Sequence, residues 1–137
     1  MVKLITTIKA LIDVKEAVSQ ILKQAGFGDG NVKIIDDKPM FWFVNVPNIE
    51  GSEKEIYLTY NINSITPALF DDGKPCLRKV IIDITLFCRD DDKAYNHLTN
   101  LNNAFVLRGW AFELNRINFD SVNQLYVYSF LTQCEVG

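Results

Sequence analysis

The run from Lys79 to Gly109, KVIIDITLFCRDDDKAYNHLTNLNNAFVLRG, leaves the backbone little choice. Ile82, Ile84, Leu86 and Cys88 alternate with Ile81, Asp83, Thr85 and Phe87, which is the period of a strand. β-Branched and aromatic side chains dominate, and these fit a pleated, half-buried surface. Asp90, Asp91 and Asp92 then arrive together. A carboxylate there accepts hydrogen bonds from the free N–H groups of a first helical turn and suits the positive end of the helix dipole. Ala94, Leu98, Leu101 and Phe105 follow at spacings of four, three and four, so they share one helical face. Gly109 stands where a left-handed residue ends such a helix. The run predicts a buried strand that turns directly into an amphipathic helix.

The flanking segments extend this pattern. Val14, Ala17, Val18, Ile21, Leu22 and Ala25 form an apolar stripe, which predicts a helix over Val14–Ala25 ended by Gly26. Leu4, Ile8 and Leu11, or equally Ile5, Ile8 and Ile12, form a stripe on a different face. Asp13 with Glu16 resembles a capping box, so a break is expected near Asp13, preceded by a short N-terminal helix or arm. Val32–Ile35 is expected as a short strand, Asp36–Pro39 as a turn, Phe41–Val46 as a strand apolar on both faces, and Pro47–Lys54 as an exposed loop. Ile56, Leu58, Tyr60 and Ile62 alternate with Tyr57, Thr59, Asn61 and Asn63, a strand with one apolar face. Pro67–Pro75 is too long for a two-residue turn and is expected to protrude as a loop. Two strands close the chain, over Trp110–Phe119 and Ser121–Cys134. Trp110, Phe112 and Leu114 share one face of the first, with Ala111, Glu113 and Asn115 on the other. This order predicts one α+β domain over residues 1–137, a mainly antiparallel sheet of about five or six strands with two main helices packed on one face.

Composition narrows the function classes. With 137 residues and 48% apolar content, the chain is long enough for one sizeable core and is neither disordered nor membrane-like. No apolar run approaches the roughly 18 residues of a membrane span, and no signal peptide is expected. A net charge of −3 argues against nonspecific duplex binding. Cys76, Cys88 and Cys134, odd in number and far apart, suggest reduced thiols in a cytosolic setting.

No arrangement of side chains amounts to a catalytic or metal motif. His97 lies beside the apolar stripe of its helix; a Cys88–His97 nucleophile pair is conceivable, but a small buried thiol and a surface histidine account for both residues more simply. Three consecutive aspartates do not converge on one cation, and capping explains them. Asp83 sits either on the wet face of its strand or against a partner. Gly26, Gly28 and Gly30 follow a helix, the reverse of the phosphate-binding order. Tyr57, Tyr60, Tyr126, Tyr128 and Phe130 raise a single-strand nucleic-acid reading, yet no basic residues interleave with them. Trp42 and Phe43, on a short strand beside a polar loop, are core residues by default and candidates for a partner contact.

The chain also resembles a known family. An N-terminal helix, a strand EIYLTYNINS, a DDGKP element, the strand KVIIDITLFCRD running into a helix, the step Gly109-Trp110 and a last hairpin closing on LYVYSFLTQCEV together resemble the tail-terminator, or tail-completion, proteins of long-tailed bacteriophages. The resemblance spans about Val14 to Val136 and is one of element order. It implies a structural virion protein and no enzyme, cofactor or metal. Such proteins form a homo-hexamer ring that caps the tail tube, stops its growth and meets the head-completion or connector protein. DNA passes the lumen without specific binding, and a mildly acidic subunit suits that passage. For interfaces the resemblance directs attention to Trp42, Phe43 and the Ala68–Pro75 loop with Phe70, Asp71 and Asp72.

Overall fold

The structure, a computed structural model, describes residues 2–32, 38–44, 55–71 and 73–136, and the side chains of these except 2–7, 68–71 and 74–76. The elements in chain order are α1 (Val2–Gln24), β1 (Gly28–Asp29), β2 (Met40–Phe43), β3 (Ile56–Asp71), β4 (Lys74–Cys88), α2 (Asp91–Leu107), β5 (Ala111–Asp120) and β6 (Leu125–Val136). Among the described residues the class is α+β, and six strands form one mixed sheet in the order β1-β2-β3-β4-β6-β5. The long pairings β3–β4, β4–β6 and β5–β6 are antiparallel; β1–β2 and β2–β3 are short and parallel.

β4 is the spine, paired with β3 on one side and with β6 on the other. Its alternating residues Val80, Ile82, Ile84 and Leu86 are fully enclosed, as their period predicts. Burial of side chains this size contributes about 1.5–3 kcal/mol each. One buried cluster gathers them with Leu58 and Tyr60 of β3, Tyr128 and Phe130 of β6, Val14, Val18, Ile21 and Leu22 of α1, and Ala94, Leu101 and Phe105 of α2. The entry into α2 follows the aspartates: the Asp92 backbone N–H donates to the Asp90 side chain at 3.0 Å, a cap of the kind that contributes about 1 kcal/mol.

Three expectations need correction. α1 is one continuous helix with Asp13 exposed in its middle, so there is no break there. The stripe that buries is Ala10, Val14, Val18, Ile21 and Leu22, while Ile8 and Ile12 stay exposed. Second, Pro67–Pro75 is no loop. β3 and β4 stay paired out to Asp71↔Lys74, leaving two residues between the strands, with Gly73 at φ 76°. Glycine takes that backbone at no steric cost, so a long hairpin arm forms where a loose segment was expected. Third, a strand not expected from the sequence, β1, forms at Gly28–Asp29, and Val32 lies in the turn after it. The rest of the expected Val32–Ile35 strand and the expected Pro47–Lys54 loop lie outside the described residues.

Candidate functional site

Among the described residues β5 is an edge strand, paired only with β6. Strict alternation would put Leu114 on one face and Ile117 and Phe119 on the other. A bulge between Leu114 and Arg116 changes that parity. Leu114 pairs Phe130, Ile117 pairs Tyr128 and Phe119 pairs Tyr126, so all three apolar side chains stand on the face of the buried cluster. They remain about half exposed there.

α2 runs beside them, and the space between α2 and the β5–β6 pair is an open groove of about 560 Å³. Stacked rings run from α2 to its floor: Phe105 on Phe112 at 5.1 Å, and Phe112 on Phe130 at 4.6 Å. Tyr95, Leu98, Leu114 and Ile117 also line the groove, and among the described residues Asp91 is the one charged residue in its lining. Tyr128 lines it too; it is 2% exposed, and its hydroxyl finds no hydrogen-bond partner among the described residues. Sequence reasoning missed this groove. Its residues come from three elements, and the bulge that aligns them carries no glycine.

Of the residues singled out for interfaces, Trp42 is 1% exposed and belongs to the core. Its indole packs over Gly30 and meets Tyr57 edge-on at 6.3 Å. It is therefore no surface contact of the single chain, because β2 is flanked by β1 and β3 and the bare Gly30 Cα lets the ring close down. Phe43 is half-buried, tilted against Tyr60 at 5.1 Å, with the Lys15 ammonium 4.1 Å from its ring centre. The side chains of Phe70 and Asp71, and all of Asp72, lie outside the described residues. The structure does not bring Trp42 or Phe43 to the groove.

The remaining candidates have structural roles. The Cys88 thiol is buried and donates to the Asp90 carbonyl at 3.0 Å; burial, the largest influence, pushes its ionisation up. A thiol held protonated is a poor nucleophile. His97 meets Phe27 edge-on at 5.7 Å, and burial pulls its ionisation down, so it is a packed ring rather than a free surface residue. Asp83 is partly exposed and also paired: the extra residue at the β3 bulge, Asn63, donates to it at 3.0 Å. Among the described residues no group of three or more His, Cys, Asp or Glu is placed to hold a metal ion, and no helix is long and apolar enough to cross a membrane. No protein-family model matches the chain, and no curated protein matches it.

Proposed function

We propose that the chain is a structural subunit of a phage or prophage tail, one that closes into a ring on the tail tube, ends tube growth and joins the tail to the head. The observation that carries this reading is the apolar edge. Leu114, Ile117 and Phe119 are clustered along one edge strand rather than scattered, and a clustered apolar edge is a surface for another chain. The element order supports it as well: an N-terminal helix, the β3–β4 hairpin, β4 running into α2, and a closing hairpin form the sequence of elements on which the tail-terminator resemblance rests.

In this reading both helices lie on one face of the sheet, supported by the single buried cluster they share with alternate strand residues. The ring is a homo-hexamer at the neck of the virion, the tail-tube protein and the head-completion protein are its partners, and DNA passes through its lumen. Phe43 and the arm tip at Phe70, Asp71 and Asp72 contribute contacts to the tube or the neighbouring subunit. Capping a tube calls for complementary surfaces, so no catalytic step or cofactor enters. The alternative, a small nucleic-acid-binding module, has less in its favour: the Tyr128 ring is enclosed, and Asp91, the one charge lining the groove among the described residues, repels phosphate.

Light scattering on a sizing column, with negative-stain images of the peak, tests the reading. A hexamer-sized particle with a central hole is expected, and tube assembly supplemented with the chain is expected to stop. A monomer that leaves tube growth unchanged sinks it.

A further inference from the structure

We infer that β5 pairs antiparallel with β5 of a second copy of this chain about a two-fold axis, so that one sheet runs through both subunits. The inference goes beyond the ring reading and holds without it, since such a contact makes a pair whatever else the chain assembles into.

Among the described residues the outer side of β5 has no strand beside it, and every residue from Glu113 to Phe119 is exposed. An edge of this kind leaves backbone N–H and C=O groups without ladder partners, and main-chain pairing with another chain satisfies them. Lysine and proline, two residues that keep edges apart, are absent from the strand.

The charges point to this chain itself as the partner. Between Ala111 and Phe119 the charged residues are Glu113 and Arg116. They pair Leu131 and Ser129 of β6, so they share one face; Phe112 and Ile117 pair Thr132 and Tyr128 and share the other. A two-fold axis between Leu114 and Asn115 sets Glu113 opposite Arg116 of the second copy, and Arg116 opposite its Glu113. The same register sets Phe112 opposite Ile117, an aromatic against a β-branched side chain in both halves, and both kinds of cross-strand pair are favourable. The bulge makes this register possible. Residues three or five apart lie on opposite faces of a regular strand, and the extra residue, Asn115, brings them onto one face in both copies. Moving the axis by one face-matched step either way sets Arg116 opposite itself or Glu113 opposite itself, and like charges directly opposite are destabilising. The contact is isologous, the same patch meeting itself. It also leaves the two copies of α2 on one side of the joined sheet. From Tyr95 to Leu107 that helix carries no acid, lysine or arginine, in keeping with the depletion of charge at interface cores.

Charge exchange in the full chain tests this. Glu113→Arg sets like charges opposite each other on both sides of the axis, and so does Arg116→Glu. Each variant alone is expected to bind itself at least about tenfold more weakly than wild type, by light scattering on a sizing column over a range of concentrations. Mixed in equal amounts, the two are expected to form a heterodimer, because opposite charges then face each other at both positions. The double variant, Glu113→Arg with Arg116→Glu, is expected to regain wild-type association. Both positions are exposed, so melts by circular dichroism are expected to match wild type. Hydrogen exchange needs no variant: the β5 amides should slow as wild-type concentration rises. A wild-type chain that stays monomeric with unchanged β5 exchange, single variants that associate like wild type, or a mixture no stronger than its parts overturns the pairing. Rings that form and cap tubes equally well in both single variants overturn it too, and leave the ring reading standing. Pairs that follow the charge exchange but never cap tubes establish the contact and remove the ring reading. Slower β5 exchange seen only on adding tail tubes assigns the edge to the tube protein and overturns the self-pairing.

Discussion

A methyl group added at Gly30 would fall inside the Trp42 indole. The ring is enclosed, so it cannot swing aside into solvent. Gly30→Ala is therefore expected to cost about 1–3 kcal/mol, the range for overpacking a filled site. Trp42→Phe in the same chain should recover part of that loss, read as a sub-additive double-mutant cycle in urea denaturation. A Gly30→Ala chain as stable as wild type would mean that the indole does not sit on Gly30. Titration gives a second expectation at this scale. Burial pushes the Cys134 thiol from its ordinary 9.0 up to about 11. Below pH 9 the folded and unfolded chains both hold that proton, and nothing changes. Above it the unfolded chain releases a proton that the folded chain keeps, so stability falls as pH rises from 9 to 11. Cys88 and Tyr60, the latter pushed up to about 12 by burial first and Asp29 second, add to the same trend. Cys134→Ala should flatten the alkaline loss without abolishing it. An unchanged slope would show that this thiol ionises as freely folded as unfolded.

Among the elements, α1 separates local pattern from tertiary outcome most cleanly. Two apolar stripes on different faces and an aspartate between them read as two helices. The chain instead keeps one helix, buries the stripe through Val14 and Val18, and leaves Ile8 and Ile12 outside. Proline in a helix interior removes a hydrogen bond and clashes with the preceding turn, at about 3 kcal/mol. Asp13→Pro should cost about that much, whereas Asp13→Ala should be neutral or slightly stabilising. Chemical denaturation midpoints compare the two. A helix that began at Val14 would accept proline at 13 with little loss, and that result would restore the broken-helix description. By contrast α2 was legible throughout. Its aspartate cap, its stripe and its terminal glycine are all local signals, and each acts within a few residues of where it is written.

The chain exposes Ile8 and Ile12 on α1 and an apolar groove beside β5, with a net charge of −3. Such a particle should associate with itself more readily than with nucleic acid. Single-stranded oligonucleotides are accordingly expected to show no retardation by the chain at low salt. Binding that weakens with salt and disappears in Tyr126→Ala would instead move the function to strand recognition. Most of the order of elements was legible in the sequence. The groove was not, because α2, β5 and β6 meet there only after the sheet has formed.

What the sequence determined by itself is the core. The alternation in β4, the paired face of β3 and the capped stripe of α2 follow from periods and end signals that operate over a few residues. What only the tertiary structure decided is where the apolar surface is left over. The bulge before Arg116 turns Ile117 and Phe119 to the side of Leu114, an unexpected pairing carries the β3–β4 arm out to Asp71 and Lys74, and packing selects one of two stripes on α1. Each choice trades one burial against another between segments distant in the chain, and no local pattern records which one wins.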